Sequence, residues 1–294
     1  MTPRNADNTG FILVTVLLLL VVAGALAASA ARYNCAQALQ AGAALEALQV
    51  RWGSESCRAV CLAEAERFIV EGDEGDQDTP APLSCSVVLG DIRFHLRLAD
   101  EQAKANVNTL AARLGADSIG EPLWRLQEGR RRALPVQLRP CGPLAGAVGG
   151  ALNPAPYIAF DQLFVFDHPS ELMPVEPGED SPIDRVTCWG DGRVNFKRAD
   201  PIVLREVTLG VLDEAQRDAL RTYRDEHPDA TVAEALKSLA LDKDKAAAAG
   251  ALLTDESLCY SLWVVGEGAS RKYYRLYVAG RGLAGGFVTR SYAW

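Results

Sequence analysis

A largely apolar run extends from Phe11 to Ala31 (FILVTVLLLLVVAGALAASAA), with no charge and no proline. At about 1.5 Å per residue, a helix of that length just spans a bilayer core of about 30 Å. Beyond it the pattern changes rather than stops. Ala41, Leu45, Leu48 and Trp52 recur at helical spacing, and Cys57, Cys61, Ala65 and Phe68 carry a similar stripe onward. No proline falls between residues 32 and 70. Gly42 and Gly53 weaken the helix without ending it; the acidic stretch Glu71–Asp78, then Pro80 and Pro82, ends it.

The period then shifts to two. Ser84–Gly90 and Asp91–Ala99 read as strands around a Gly-Asp turn, with Val87 and Leu89, then Ile92, Phe94, Leu96 and Leu98, on one face. Arg93, His95 and Arg97 alternate with them and are expected in solvent. Helical patterns follow at Leu110–Leu114 and Asp213–Glu226, the latter with Leu212, Ala215, Ala219, Leu220 and Tyr223 inward, and at Thr231–Ala240, where Thr231 and Glu234 form a capping box. Lys243–Ala249 reads as surface helix or loop, and the Pro-, Gly- and Arg-rich stretch Arg130–Tyr157 as loop. Strand character returns at Leu258–Gly266 and Lys272–Gly280, and the Gly-rich tail adds an edge strand through Phe287–Tyr292.

About 260 residues follow the apolar segment, enough for one or two packed domains. Lys and Arg total 30 against 38 Asp and Glu, a formal charge of −8. That balance argues against nucleic acid as a partner. Seven cysteines, at 35, 57, 61, 85, 141, 188 and 259, contain no C-x-x-C pair, so a zinc site is not expected. Their number is odd, which leaves at least one free or paired between chains. Cys57 and Cys61 share a helix face, but a bridge between them would strain the helix.

No catalytic constellation stands out. His95, His168 and His227 are scattered, the last two each before a proline, and no G-x-S-x-G, Walker or H-E-x-x-H motif occurs. Glu71, Asp73, Glu74, Asp76 and Asp78, and separately Glu176, Glu179, Asp180 and Asp184, offer oxygen ligands of the kind calcium takes, although such acidic loops are more often simply solvated. No other cofactor is expected.

The apolar segment has three readings: a secretory signal peptide cut before Ala31, a plain signal anchor, or the head of a longer helix. The continuing helical pattern favours the third. A short polar leader, Gly10, Phe11 and an apolar helix that runs on into an amphipathic one resemble the N-terminus of a type IV pilin or a type II secretion pseudopilin. Three further segments sharpen the resemblance. Asp100-Glu101-Gln102-Ala103-Lys104-Ala105-Asn106-Val107-Asn108-Thr109 is similar to the D-E-x-G-K-x-N-x-N-T segment of the general secretion pathway protein K family of minor pseudopilins. Gly190-Asp191-Gly192-Arg193-Val194-Asn195-Phe196-Lys197-Arg198-Ala199-Asp200-Pro201 resembles that family's G-D-G-x-I-N-x-N-T-A-x-P, and Glu171-Leu172-Met173 with Val175 its E-L-x-x-V step. Ala103 replaces a glycine, and Lys197-Arg198 replace Asn-Thr. Pro201 suits the first position of a helix capped by Asp200.

The resemblance implies an α+β, pilin-like fold: a long N-terminal transmembrane helix on an antiparallel sheet, with a large helical domain of helix-hairpin-helix-like modules inserted between strands. The implied division is a leader at 1–10, a transmembrane segment at 11–31, helix extension and first strands at 32–99, an inserted helical domain at 100–257 and returning strands at 258–294. It also implies prepilin peptidase cleavage between Gly10 and Phe11 and N-methylation of Phe11. Its partners would be other minor pseudopilins, the peptidase and an inner-membrane secretion platform. The chain would then be a non-enzymatic subunit of a type II secretion or type IV pilus system, single-pass in the bacterial inner membrane with its C-terminal part in the periplasm. Most pilins carry glutamate at the position of Thr15, so Thr15 marks a subunit at a filament tip. The rival function is a membrane-anchored or secreted ectodomain with an independent binding role.

Overall fold

The computed structural model describes residues 8–72, 82–139, 157–173, 180–269, 271–281 and 287–294. In chain order the elements are α1 (Asn8–Ala63), α2 (Ala65–Gly72), β1 (Leu83–Leu89), β2 (Ile92–Asp100), β3 (Ala105–Asn106), α3 (Val107–Leu114), α4 (Gly120–Leu126), β4 (Val186–Thr187), β5 (Val194–Asn195), α5 (Pro201–Thr208), α6 (Glu214–Glu226), α7 (Val232–Ser238), α8 (Lys243–Gly250), β6 (Leu253–Thr254), β7 (Cys259–Glu267), β8 (Lys272–Arg281) and β9 (Phe287–Ala293). The chain divides into two compact units, Met1–Trp52 and Gly53–Trp294.

The first unit is the larger part of helix α1. Its apolar residues face outward, among them Phe11, Leu18, Leu26, Tyr33, Leu39 and Leu45. Leu48 and Trp52 are exposed as well, whereas Val50 is buried. The stripe Ala41–Trp52 therefore forms the expected helix without being the face that is covered. The next stripe does turn inward: Cys57 and Ala65 are buried and Cys61 and Phe68 half-buried.

The second unit is built on one antiparallel sheet with strand order β1-β2-β7-β8-β9. The sheet unites hairpins from opposite ends of the sequence, because β2 pairs directly with β7, Leu98 opposite Leu262 and Asp100 opposite Tyr260. Everything between Asp100 and Cys259 is thus an excursion from the sheet and a return to it. Eight of the nine β7 residues are buried, so this strand is covered on both faces.

One face carries Phe94, Leu96, Leu262, Val264 and Tyr277 and receives the last turns of α1. There the Phe94 ring lies against Gly53, and a Cβ at residue 53 would sit 2.2 Å from it. The Tyr277 hydroxyl donates to Glu55 Oε1 at 3.1 Å, and the Arg58 guanidinium lies 5.9 Å from the Tyr277 ring centroid. Burial, and then the Glu55 charge, push the Tyr277 phenol up to about 12.

The other face carries Trp263, Val265, Tyr274, Leu276 and Val278 into a single core with Leu110, Leu123, Phe164, Phe196, Val203 and Leu220 of the insert. The expected solvated face of β2 holds at Arg93, which is exposed, but fails at Arg97, while His95 is half-buried. Arg97 is buried and donates to both Asp184 oxygens at 2.7 and 2.8 Å. His95 bonds Ser86 at 2.9 Å and lies 3.3 Å from Glu267. The insert covers Arg97, which an isolated hairpin would have left in water, whereas the partners of His95 come from the neighbouring strands β1 and β7.

The caps are where the residue types place them. Asn106 caps α3, Asp200 caps α5 with Pro201 following, Asp213 caps α6, and Thr231 with Glu234 boxes α7. Lys243–Gly250 is a helix, capped by Asp242. Two details differ from expectation. On α6, Ala215 and Ala219 are exposed and the buried Arg224 takes the inner position, donating to Ala199 O at 2.6 Å. The insert is also less helical than its ends. Between Gln127 and Asp200 the described residues form only short bridges and the 3-10 turns Phe160–Gln162 and Pro169–Glu171. Prolines 135, 169 and 182 interrupt the helix ladder there, and glutamine side chains replace it. Gln127 accepts from Leu134 N at 2.7 Å, and Gln137 donates to Asp161 O and Phe164 O.

Gly53→Ala separates packing from propensity. Alanine favours a helix by about 1 kcal/mol, but here its methyl meets the buried Phe94 ring, and overpacking costs about 1–3 kcal/mol. Urea unfolding should show a net loss for Gly53→Ala. Gly42→Ala, with open space around it, should be neutral or slightly stabilising.

Candidate functional site

The residues predicted to act at the N-terminus lie at the head of α1. Gly10 and Phe11 are both helical, and Phe11 is 74% exposed. Thr15 Oγ1 donates to the Phe11 carbonyl at 2.9 Å, one turn back. Its hydroxyl is therefore satisfied inside its own helix and presents no charge. This helix is long and apolar enough to cross a membrane, with a mean hydropathy of 2.9 in its most apolar window and none of that window buried.

The two quoted motifs, far apart in sequence, come together in the second unit. Asp100, Glu101, Gln102 and Lys104 are buried where β2 leaves the sheet. Glu101 is the hub: it accepts from Lys104 Nζ at 2.6 Å, from Thr187 Oγ1 at 2.5 Å and from Ser261 Oγ at 2.5 Å. It thereby joins the end of β2, the short strand β4 and the returning strand β7. Asp100 accepts from Gln102 N at 2.8 Å and from Ser257 Oγ, with Arg198 3.4 Å away. Gln102 donates to Asp191 Oδ1 at 2.9 Å and accepts from Leu258 N.

The second half of the motif closes on its partner in the same way. Asn106 donates to Trp189 O at 2.7 Å while accepting from Asn108 N and Thr109 N. Thr109 donates to Gly192 O at 3.0 Å. Gly192 has φ +90, and a Cβ there would lie 2.3 Å from Thr109 Oγ1, so glycine is required both by conformation and by the close approach.

The two motifs also share a local plan. Asn106 in β3 pairs in parallel with Thr187 in β4, and Asn195 in β5 pairs in parallel with Thr254 in β6. Each arrangement leads to a helix pair, α3–α4 and α5–α6, whose turns contain Gly115 at φ 89 and Gly210 at φ 81.

The centre of this cluster, Glu101 with Lys104, Thr187 and Ser261, is shut away from solvent and ties three chain segments together. The sequence indicated Asp100, Glu101 and Asn106. It gave little sign of Thr187, Ser257 and Ser261, short hydroxyls that gain their meaning only when β7 returns beside β2. Among the described residues no group of three or more His, Cys, Asp or Glu side chains could hold a metal ion. Of the acidic residues considered as calcium ligands, Asp73, Glu74, Asp76, Asp78, Glu176 and Glu179 lie outside the described residues. Asp180 pairs with Arg130 at 2.7 Å, and Asp184 is taken up by Arg97. A cleft of about 280 Å³, lined by Phe160, Phe166, Trp189, Leu276, Tyr292 and Trp294 among others, is mainly apolar and brings no nucleophile to a base.

A likeness emerges with a chain in the crystal structure of the GspK-GspI-GspJ complex from the enterotoxigenic Escherichia coli type 2 secretion system. The TM-score is 0.51 over 87% of this chain and 99% of that one, at 16% sequence identity. No protein-family model and no curated protein matches the sequence. The likeness is one of fold: an α+β, pseudopilin-like architecture with a long apolar N-terminal helix and an antiparallel sheet.

Two substitutions test the buried cluster. Glu101→Ala strands the buried Lys104 ammonium, and breaking such a pair costs about 3–5 kcal/mol; chemical unfolding should show a loss of that order. Burial pushes the Asp100 carboxyl above its ordinary 3.8, against the bonds from Ser257 and Gln102 and the Arg198 charge. The folded state therefore holds this proton more tightly than the unfolded chain does. The associated stability is present below about 3.8 and lost as pH rises through the higher, folded value. Asp100→Asn removes that slope. Unfolding of both proteins between about pH 3 and about pH 7 should show the variant gaining on the wild type as pH rises.

Proposed function

We propose that this chain is a non-enzymatic, single-pass minor pseudopilin of a type II secretion system or a related type IV pilus system. In this reading α1 anchors it in the bacterial inner membrane, and the second unit lies in the periplasm. The observation that carries the reading is the union of two features. An uncharged membrane-length segment heads one long helix, and the sheet beyond it is interrupted, between β2 and β7, by a large insert.

The exposed apolar residues of α1 give the reading a physical basis. Leu39, Leu45, Leu48 and Trp52 extend an apolar surface past the uncharged segment, and a neighbouring helix of similar character would cover it. Other minor pseudopilins are the partners with such helices. Prepilin peptidase would cut between Gly10 and Phe11 and methylate the new amine, and the inner-membrane secretion platform would receive the processed subunit.

Thr15 supports a place at the filament tip. A glutamate at this position would balance the N-terminal amine of the subunit ahead; a hydroxyl already bonded to its own helix cannot. An amine left without a counter-charge among apolar helices would cost several kcal/mol. A subunit with nothing ahead of it loses nothing by lacking the carboxylate.

Mass spectrometry of the membrane-extracted protein should find a chain beginning at N-methyl-Phe11. A chain beginning at Ala31 would identify a signal peptide and end this reading. For the tip, cysteine crosslinking within the anchor should find one copy per filament with neighbours on one side only. Many copies along the shaft, each with Thr15 beside another subunit's Phe11, would reject the tip position.

A further inference from the structure

Three of the cysteines gather where the helix meets the sheet. The contact of Gly53 with Phe94 sets the register between them. Further on, Arg198 reaches both Ile69 O and Asp100, so the helical segment and β2 advance in the same direction. Cys57 stands one turn beyond Gly53. In the ladder, Val87 is opposite Phe94 and Cys85 is opposite Leu96, two residues on. A helical turn of about 5.4 Å and two strand residues at about 3.4 Å each cover similar distances. Cys57 therefore comes level with Cys85, and Cys61 lies a further turn along. Cys85 belongs to the same face of the sheet as Phe94 and Leu96, the face that receives the helix.

We propose that Cys57 and Cys85 form a disulfide that fastens the end of α1 to the edge strand β1, and that Cys61 remains a thiol. The electrostatics of the three groups are consistent with this. Burial, and then the nearness of Cys85, raise the Cys57 thiol. Burial also raises Cys85. Cys61 is pushed up to about 11 by burial, then by Cys57 and Cys85, which disfavours its thiolate.

The chemistry is thiol–disulfide exchange with a small or protein disulfide as oxidant. Cys85, on the edge strand and exposed, loses its proton and attacks one oxidant sulfur, which breaks the oxidant's S–S bond and releases one thiol. Cys57, as thiolate, then attacks Cys85 Sγ in the mixed disulfide and releases the second. Cys57 and Cys85 are oxidised by two electrons, and the oxidant takes up those electrons and both protons. In the cell the proposal rests on the periplasmic placement argued above, which supplies the oxidant.

The bridge is needed for a mechanical reason. Among the described residues, strand β1 has a hydrogen-bonded neighbour on one side only. A covalent tie across the loop from residue 57 to residue 85 restricts the unfolded chain and holds this edge against the helix.

The test uses the purified full-length chain in detergent, reduced and then equilibrated with oxidised glutathione, so that its outcome does not depend on the compartment. Remaining thiols are trapped with N-ethylmaleimide, and peptides are mapped without reduction. The Cys57 and Cys85 peptides should be joined, lighter by two hydrogens than their sum, with Cys61 alkylated. The oxidised wild type should melt at a higher temperature than its reduced form, and Cys85→Ser should abolish that difference. Alkylation of both Cys57 and Cys85, or a bridge involving Cys61, would overturn the proposal.

Discussion

Strand β2 completes its ladder only with β7, and the whole insert lies between them. A central strand buried on both faces requires an apolar sequence and a partner for every polar group it carries inside. The stretch from Cys259 to Val265 meets the first requirement. The insert meets the second, supplying Asp184 to Arg97, while Glu101, at the point of departure, receives the hydroxyl of Ser261. The sheet cannot be buried without the insert, and the insert has no core without Trp263, Val265, Leu276 and Val278 of the sheet.

Much of this was legible in the residues themselves. The helix reads from an apolar run without proline, the hairpin from strict alternation around Gly90-Asp91, and the caps of α5 and α7 from Asp200 before Pro201 and from Thr231 with Glu234. The exposure of polar positions was legible only in part. Arg93, His95 and Arg97 alternate like a solvated face and Arg93 is indeed exposed, but nothing near them in sequence announces that Asp184 will arrive to neutralise Arg97. The inner face of α6 was likewise misread: a buried arginine that bonds a distant carbonyl outranks two alanines whose burial would gain little area. Among the described residues between Gln127 and Asp200, glutamine side chains and irregular bridges satisfy parts of the backbone, and such bonds leave no periodicity to be read.

The candidate site divides along the same line. Gly10, Phe11 and Thr15 are local features, and the self-bonded hydroxyl of Thr15 is a bond any helix can make one turn back. The motif residues 100–109 and 190–201 were visible as two related turns, but their meaning is mutual. Gln102 needs Asp191, Asn106 needs the Trp189 carbonyl, and Thr109 needs a glycine at 192. A buried set of charged and polar partners of this kind is poor at chemistry and good at fixing one geometry. That quality suits the assembly role proposed above.

The length of the excursion bears on the order in which the molecule comes into being. Glu101 and Ser261 meet although 160 positions separate them. Closing so long a loop costs only about 0.6 kcal/mol more for each doubling of its length, so the finished protein is hardly penalised. The penalty falls on time. Contacts this distant in sequence slow folding, and during synthesis β1 and β2 exist long before β7 has been made. Until then the β2 edge is open, and its unpaired amides and carbonyls can accept any passing strand. The nascent chain has therefore to keep that edge from the wrong partner until β7, which begins only at Cys259, has been made.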